Sequence, residues 1–246
     1  MSLPAPGERA AGADLSAEDW RTHDCEEAQF DGCTFTDVSF LETAARGASF
    51  TKCTFLRCRF ASADLRETTF EDCVFADKEA HTGPTFFVTD LSRATFTRSD
   101  LSFAAFERTE MQGLTLSHCN LRGARFFRAD FTRAVSRKVI RAAASMTDCN
   151  FHLSDLTGIN LSGADLQRSA FREADLTNAD LEEADLREAD LFGAILAGAK
   201  LAGADVRGGE VSGIDLGALA SFAGLKITVQ QQYALLSAMG LDVRSE

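Results

Sequence analysis

The sequence lacks any long apolar stretch and any recognisable export signal. Hydrophobic residues make up 45% of its 246 residues, but no apolar run approaches the roughly 20 residues that a membrane-spanning helix needs. Residues 1–19, MSLPAPGERAAGADLSAED, do not combine a basic region with an apolar core, as a secretory signal does. We therefore predict a cytoplasmic protein that makes no membrane contact, with residues 1–19 as a flexible leader.

The sequence also lacks the short motifs that carry catalysis. It contains no glycine-rich phosphate loop, no G-x-S-x-G nucleophile elbow and no H-E-x-x-H zinc motif. Its four histidines are not paired with cysteines or carboxylates at the spacing of metal ligands. We predict no catalytic residues, no metal site and no cofactor, and therefore no enzyme activity.

Positive charge is scarce and unevenly distributed. The chain has 25 Lys and Arg against 37 Asp and Glu, a net charge of −12. Residues 76–146 are the exception, with 11 bases and 7 acids, whereas residues 147–246 have 16 acids and 7 bases. Because an acidic chain is not attracted to phosphates, we predict no direct binding to nucleic acid. Its acidic surface would instead attract a partner that itself binds DNA.

What the sequence does contain is a five-residue repeat. From Phe30 to Leu216 an apolar residue, called position i below, recurs every five residues with two interruptions, and 15 of the 20 phenylalanines occupy it. Position i−2 is usually small and position i−1 is often Asp. A period of five fits neither a helix nor a strand. It fits a chain that turns a corner every five residues, so that four sides make a 20-residue coil and the coils stack as β-bridged rungs.

The seven cysteines follow the same repeat. Six lie at i−2 and Cys25 lies at i, so we predict that all point into the core as small apolar side chains. Cys33, Cys53 and Cys73 are 20 residues apart and should stack about one rung apart. The odd number and the predicted location favour reduced packing residues over disulfides. An enzyme or metal protein that uses this column is an alternative, and it predicts bound zinc or a reactive thiol.

The two interruptions predict two projecting loops. The first, about residues 76–85, is polar and contains a Gly-Pro pair typical of loops. The second, about residues 132–145, would place Arg141 inside if the repeat continued, and an unpaired buried charge is costly. Solenoids tolerate neutral insertions, but exposed apolar residues beside charges favour a contact surface. The predicted contact residues are Asp77, Lys78, Glu79, His81 and Thr82 in the first loop and Arg133, Arg137, Lys138, Val139, Ile140 and Arg141 in the second.

Past Leu216 the repeat fades, and residues 217–246 are predicted as a separate segment with a helix. Thr228 and Gln231 have the spacing of a capping box, and Gly240 suits the C-terminal end of the helix. This helix would cover the open end of the solenoid, form a dimer contact through its apolar face, or do both. The predicted dimerisation residues are Val229, Tyr233, Leu236 and Met239.

Residues 173–191, EADLTNADLEEADLREADL, resemble the A-(D/N)-L-x-x pattern of the pentapeptide-repeat family. The resemblance implies an all-β fold, a right-handed quadrilateral β-helix over residues 20–216 with two projecting loops and a C-terminal helix. The interruptions, together with ADVRGGEVSGIDL and QQQYALLSAMGLDV, resemble the Qnr-type members, bacterial proteins that protect type II topoisomerases from quinolones. That resemblance implies DNA gyrase as partner, topoisomerase IV as a second candidate, a homodimer through the helix, and a short final strand.

Charge density favours only a partial imitation of DNA. A duplex carries one charge per about 1.7 Å, so roughly 40 Å of it would carry roughly 24 charges. The predicted rod has a similar length, estimated from about 4.8 Å per rung, but a net charge of only −12. We therefore predict that an acidic shaft faces a basic DNA-binding surface while the loops add specificity. The residues of this acidic surface are Asp165, Asp175, Asp180, Glu182, Glu183, Asp185, Asp190 and Asp205.

Two functions of different class follow from this reading. The first is a non-enzymatic, DNA-mimicking protein that binds gyrase and protects it from fluoroquinolones or other topoisomerase poisons. The alternative is a pentapeptide-repeat scaffold with a different partner, in which removal of either loop has no selective effect on gyrase.

Overall fold

Short parallel strands, stacked rung upon rung, build most of the molecule. The structure, a computed structural model, describes residues 3–136 and 139–244, without the side chains of residues 133–141. Most strands are three residues long, and single β-bridges continue the same pairing between them. The strands are β1 (Arg9–Ala11), β2 (Gln29–Asp31), β3 (Thr34–Thr36), β4 (Ser39–Leu41), β5 (Ser49–Thr51), β6 (Thr54–Leu56), β7 (Arg59–Ala61), β8 (Thr69–Glu71), β9 (Thr85–Phe87), β10 (Thr95–Thr97), β11 (Ala105–Glu107), β12 (Thr115–Ser117), β13 (Arg125–Phe127), β14 (Thr132–Ser136), β15 (Val139–Ala142) and β16 (Ser145–Thr147), followed by a 3-10 turn (Leu216–Ala218) and helix α1 (Val229–Ala238).

The rungs form four sides. Side 1 is a seven-stranded sheet in the order β1-β2-β5-β8-β10-β12-β16, and side 3 is a five-stranded sheet in the order β4-β7-β9-β11-β13. Side 2 begins with the pair β3-β6, and side 4 is built from bridges such as that between Asp24 and Ala44. Later bridges, including the one between Asp165 and Asp185, continue the sides toward the C-terminus. The predicted four-sided solenoid of parallel rungs is therefore confirmed.

Aromatic rings at position i stack along the axis of the solenoid. The ring of Phe55 lies 4.7 Å from those of Phe35 and Phe75, with planes within 8°. Parallel pairing places identical positions about 4.8 Å apart, so a ring at every twentieth residue must lie on the ring below it. The stack also crosses the first interruption, because Phe60 and Phe86 are 4.8 Å apart. The six inserted residues therefore lie outside the core and do not change which rings stack on each other.

Acidic residues at i−1 cap the corner that follows them. The Asp155 carboxylate accepts a hydrogen bond from the N–H of Thr157 at 3.0 Å, and Asp175 accepts one from Thr177 at 2.9 Å. The residue at i+2 then adopts a left-handed backbone, as Glu183 does with φ 57°, which costs about 1–2 kcal/mol for a residue other than glycine. The carboxylate offsets this cost by satisfying the N–H of the turn. Asp recurs at i−1 because it stabilises the corner.

The solenoid begins earlier than we predicted. Strand β1 pairs in parallel with β2, and the side chains of Leu15 and Trp20 are each only 1% exposed. Trp20 packs against three phenylalanine rings of the adjacent coils at 5.2–5.8 Å. The prediction of a flexible leader is therefore wrong for residues 9–19. Ala10, Leu15 and Trp20 already keep the five-residue spacing, so the signal was in the sequence.

The solenoid also extends beyond Leu216. Ser221 forms a parallel bridge with Lys200, and Lys226 forms one with Asp205. Residues 217–226, which we predicted to lie outside the repeat region, therefore continue the last coil although they no longer follow the five-residue pattern.

Helix α1 lies across the end of the last coil. Its N-terminus has the predicted capping box of Thr228 and Gln231, and its C-terminus has the predicted Gly240 with φ 79°. The Gln231 side chain donates to two carbonyls of the last coil at 2.6 and 2.8 Å, and Leu235 is 2% exposed. The predicted final strand is not formed by residues 241–244. In the described part of the chain no helix is long and apolar enough to cross a membrane.

Candidate interaction surfaces

The first loop is anchored to the shaft by Asp77. The backbones of Asp77 and Thr82 exchange hydrogen bonds of 2.8 and 3.1 Å across the loop. The Asp77 carboxylate accepts from the N–H of Ala80 at 3.1 Å and from Arg57 at 2.8 Å, and these contacts lower its pKa. Because its side chain is only 15% exposed, Asp77 holds the loop in shape and offers little charge to a partner.

Three further contacts fold the first loop back onto side 2. Lys78 forms an ion pair with Asp100 at 3.2 Å, and the ring of His81 lies 5.9 Å from that of Phe103. A Cβ atom on Gly83 would lie 2.4 Å from a backbone carbonyl oxygen of side 2, so only glycine allows this approach. The loop is therefore a shaped projection. The predicted contact residues that are exposed on it are Lys78, Glu79, His81 and Thr82.

The second interruption forms an antiparallel hairpin. Strands β14 and β15 pair Thr132 with Ala142, and the register is irregular between Ala134 and Ser136. A hydrogen bond of 3.0 Å from the N–H of Ala143 to the carbonyl of Phe131 closes its base. The predicted contact residues Arg133, Val139, Ile140 and Arg141 belong to these strands but their side chains lie outside the described part, and Arg137 and Lys138 lie outside the described residues altogether.

The two projections leave the shaft at opposite corners. The first loop connects side 2 to side 3, between Phe75 and Phe86, whereas the hairpin connects side 4 to side 1, between Phe131 and Met146. In a four-sided solenoid these two corners are diagonal to each other. A partner that contacts both projections must therefore reach around the shaft.

The predicted acidic column on side 1 exists, but its carboxylates are mostly paired. Asp165, Asp185 and Asp205 stand on successive rungs. Asp185 accepts hydrogen bonds from the side chain of Arg187, and Asp205 accepts them from Arg207, with Nε–Oδ1 distances of 2.8 Å in both cases. These hydrogen bonds lower the pKa of both carboxyl groups. Much of the negative charge of this column is therefore neutralised by the arginine two residues after the carboxylate.

Some of the remaining predicted acidic residues are also in ion pairs, and others are not among the described ion pairs. Asp180 pairs with Lys200 at 3.1 Å, and Asp190 pairs with Arg172 at 2.8 Å. Asp175, by contrast, accepts only a backbone hydrogen bond among the described contacts. Among the described contacts, ion pairs therefore hold Asp180, Asp185, Asp190 and Asp205 of the predicted acidic surface.

The predicted apolar face of α1 points away from the solenoid. Val229 and Tyr233 are 81% and 62% exposed, and Met239 is 47% exposed. Leu236 is half-buried, while Leu235 one residue earlier takes the inward position. The end of the rod thus carries an uncovered apolar surface, as dimerisation through this face would require.

The cysteines belong to the core, as predicted. All seven are buried and unbonded, and burial raises the pKa of Cys25 and Cys58 to about 12. Such thiols stay protonated at neutral pH and are poor nucleophiles and metal ligands. Within residues 3–136 and 139–244, no three His, Cys, Asp or Glu side chains are grouped to hold a metal ion.

Side 3 also carries a basic and partly aromatic area that was not predicted from the sequence. Arg125 and Arg128 are exposed there beside Phe127, which is 58% exposed, and Arg59 and Arg108 are exposed on earlier rungs of the same side. Its only signal in the sequence is the surplus of bases in residues 76–146. That surplus does not show which of the bases face carboxylates, because the partners are 20 or more residues away in the chain.

The sequence matches the profile of the Pentapeptide repeats family in eight copies, over residues 39–77, 89–113, 111–135, 144–182 and 169–208. The matches cover more than half of the chain and follow the rungs of the solenoid. This protein therefore belongs to the pentapeptide-repeat family.

Two solved structures are similar to it over nearly their whole length. Full-length QnrB1, a plasmid-mediated fluoroquinolone resistance protein, superposes with a TM-score of 0.68 at 21% identity, covering 95% of this chain and 98% of that chain. A trypsin-treated variant of QnrB1 gives a TM-score of 0.67 at 22% identity, covering 96% and 99%. No curated protein sequence shows a significant match. At this level of identity, the likeness establishes a common fold.

Proposed function

We propose that this protein is a non-enzymatic partner of DNA gyrase, with topoisomerase IV as a second target, and protects the enzyme from fluoroquinolones or other poisons. The observation that carries the proposal is the likeness to QnrB1, a fluoroquinolone resistance protein, over 95% of this chain. Because the covered length reaches beyond the family-profile matches, which end at residue 208, it takes in the end of the rod as well as the repeats.

The acidic shaft supplies the first part of the proposed mechanism. Carboxylates on side 1 recur on successive rungs, about 4.8 Å apart, and would face the basic surface on which the enzyme binds DNA. Their own arginine partners are about half exposed, with 45% for Arg187 and 52% for Arg207. Exposed ion pairs are weak, so a basic surface of the enzyme can compete for Asp185, whose side chain is 30% exposed, whereas Asp205, at 12%, offers it little charge.

The two projections supply the second part. The loop at residues 76–85 and the hairpin at 132–142 leave opposite corners of the shaft, so an enzyme surface that wraps around the rod would contact both. In this mechanism the shaft provides electrostatic attraction, and the projections decide where along the enzyme the rod stops. We expect the larger hairpin to contribute more than the first loop.

The first test is a gyrase supercoiling assay with ciprofloxacin, in which this protein is titrated into the inhibited reaction. Restored supercoiling is the expected result, and a second, chemically unrelated poison then defines the range of protection. If the protein relieves the inhibition of supercoiling by neither poison, and no gyrase is retained in a pull-down, the proposal is wrong. The protein would then be a scaffold for a different partner.

Deletions that preserve the five-residue register test the projections. Removing Lys78–Gly83 restores a spacing of five positions from Phe75 to Phe86, and removing Arg133–Ala142 does the same from Phe131 to Met146. We expect the first deletion to weaken protection and the second to abolish it, with the circular dichroism spectrum unchanged in both. Full protection by the hairpin deletion would remove the hairpin from the mechanism.

The proposal includes a homodimer formed through α1. Tyr233→Glu together with Val229→Glu places charges on the exposed face of the helix without touching Gln231 or Leu235, which hold it on the solenoid. We expect a dimer for the unmodified protein and a monomer for the variant in light scattering coupled to gel filtration. Gln230→Glu is the control, because it adds a charge at an exposed helix position outside this face.

A further inference from the structure

Most arginines of this protein are neutralised by a carboxylate, and the exceptions lie together. Of the arginines whose side chains are described, twelve form an ion pair within 4.0 Å. Five have no such partner among the described residues, although all five are exposed. These five, called the arginine corner below, are Arg59, Arg108, Arg122, Arg125 and Arg128.

The register of the solenoid brings the arginine corner together. Arg59 and Arg125 lie in one column of side 3, because Arg59 pairs with Thr85, Thr85 with Ala105, and Ala105 with Arg125. Arg108 and Arg128 follow strands β11 and β13 on the same side. Arg122 lies just around the corner on side 2. The first loop leaves the shaft between sides 2 and 3, so Arg59, Arg122 and Arg125 lie near its base, whereas Arg108 and Arg128, at i+2, lie at the other edge of side 3.

Apolar side chains are interleaved with these arginines. The guanidinium of Arg128 lies over the exposed ring of Phe127 at 5.2 Å, and that of Arg59 lies over Phe87 at 5.7 Å. Stacking of this kind orders the arginine side chain and leaves its N–H groups free to donate. Val88 is exposed beside them at 46%. The surface therefore offers oriented donors and apolar contacts together.

A cleft beneath the first loop extends the arginine corner onto side 2. A cavity of about 510 Å³ is lined by His81, Phe103, Arg122 and Leu153, among other residues. A second cavity of about 290 Å³ lies on the other side of His81, toward Arg125. Both cavities combine an unpaired arginine with the ring of Phe103, so each accepts an anionic group beside an apolar one.

The positive area is short. Glu107 is the one carboxylate on the rungs of side 3 from Arg59 to Arg125, and further carboxylates close both ends of the area. From the rung of Arg59 to that of Arg125 there are three rung spacings, about 14 Å. On the next rung beyond Arg125 the same column has Asp155, and Glu42 lies on the rung before Arg59. An extended peptide advances about 3.3 Å per residue, so four to six residues span this length.

We propose that the arginine corner binds a short acidic segment of a partner protein, about four to six extended residues with an aromatic or aliphatic side chain among them. The carboxylates would pair with the arginines, and the apolar side chain would enter the cleft beneath the first loop. The inference goes beyond the proposed function, because it assigns a second surface of opposite charge to the shaft that faces gyrase. It can be tested on this protein alone.

Nucleic acid fits this surface less well. A strand long enough to bind would run past Asp155 or Glu42 into carboxylates, and the net charge of −12 repels a polyanion more strongly than a short peptide. With only five arginines to pair with phosphates, a strand would also release few counterions and gain little affinity. Single-stranded DNA is therefore the competing ligand in the experiment.

The experiment measures fluorescence anisotropy of a labelled peptide, DEDFEE, with the full-length protein at low and at physiological salt. We expect saturable binding that Arg125→Glu with Arg128→Glu weakens by at least about tenfold, or about 1.4 kcal/mol. The control Arg9→Glu with Arg168→Glu makes the same change in charge on side 1, the opposite side, and should weaken binding far less. The uncharged peptide NQNFQQ should not bind.

Each other outcome overturns the proposal. Equal affinity in the two double variants would show attraction to total charge and no site. Tighter binding of an oligothymidylate of about 20 nucleotides, lost in Arg125→Glu with Arg128→Glu, would make the surface a nucleic-acid site. The milder variant Arg128→Ala must also weaken peptide binding, which guards against a folding defect in the double variant. Gyrase protection is measured separately, so its failure is distinguishable from failure here.

Discussion

The acidic column of side 1 and the arginine corner of side 3 use charge in opposite ways. Asp185 and Asp205 are held by the arginines two residues later and cap their own corners. Arg59 and Arg128 touch aromatic rings and no described carboxylate. The more acidic region therefore exposes less free charge than its composition indicates. The arginine corner, in contrast, exposes more unpaired charge than its composition indicates.

The repeat itself explains this difference. A carboxylate at i−1 lies next to the N–H of i+1, and an arginine at i+1 can fold back onto it, as Arg187 does onto Asp185. On side 3 the i−1 positions are occupied by Arg59, Thr85, Ala105 and Arg125. The neighbouring arginines consequently lack the i−1 carboxylate that Arg187 uses, and the one carboxylate in these repeats is Glu107, at i+1.

The largest effect is expected from Asp205→Ala. The substitution removes the acceptor for the N–H and the side chain of Arg207 from a site that is only 8% exposed, which should cost about 1–2 kcal/mol. For a protein of this size, each kcal/mol lowers Tm by about 2–4 °C. Asp205→Asn keeps the acceptor for the N–H and loses the charge, so it should cost less. An equal loss for both variants would show that the ion pair, and not the corner, is what matters.

Acid should destabilise the protein through the same carboxylates. The pKa values of Asp64, Asp185 and Asp205 are lowered from 3.8, chiefly by hydrogen bonds from arginine side chains. Their stabilisation is complete above 3.8, the value for the unfolded chain, and is lost as the pH falls through the lower folded values. Thermal melts from pH 7 down to about 2 should show Tm falling below about pH 4. Asp205→Ala should fall less steeply, whereas Arg108→Ala should follow the unmodified protein.

A single substitution should pair an arginine of the arginine corner with a carboxylate, as arginines are paired on side 1. Ala105→Asp places a carboxylate at i−1 of side 3, where it can cap its corner and pair with Arg125 on the next rung, as Asp180 pairs with Lys200. We expect Tm to be unchanged or slightly higher, and binding of the acidic peptide to weaken several-fold. Unchanged peptide binding would mean that free arginines do not form the site. Ala105→Ser is the uncharged control.

The smallest effect on stability is expected from Arg108→Ala with Arg128→Ala. These side chains are exposed and make no described ion pair, so the free energy of unfolding should change by less than about 0.5 kcal/mol per substitution. Thermal melts at neutral pH check this. A loss comparable to that of Asp205→Ala would contradict the distinction between the two regions.

The rungs of the solenoid were predictable wherever the five-residue spacing is kept. The rungs from Phe30 to Leu216, the two interruptions and the capping box of α1 all follow from spacing, because a corner every five residues allows one arrangement of the inward side chains. The early coil at Leu15 and Trp20 was not predicted, because its i positions are occupied by residues other than phenylalanine, although they keep the same spacing. The pairing of Ser221 and Lys226 was not predicted, because each pairs with a residue 21 positions earlier, so one extra residue interrupts the five-residue spacing after Leu216.

The candidate surfaces were less predictable. Arg93 pairs with Glu67, 26 residues away, because the first loop shifts the numbering between rungs. Asp77 was predicted to contact a partner and instead anchors its own loop. In both cases the partner of a charge depends on which residues the coil places on adjacent rungs, and local sequence does not contain that information.

The sequence by itself determined the shape of this protein, since a five-residue period with large residues at i and small ones at i−2 can close only as a four-sided coil with stacked phenylalanines. Only the tertiary structure decided where charge is free. Rungs about 4.8 Å apart bring residues 20 to 30 positions apart within reach of an ion pair. Whether an arginine on one rung meets a carboxylate or an aromatic ring on the next decides whether it can bind a partner.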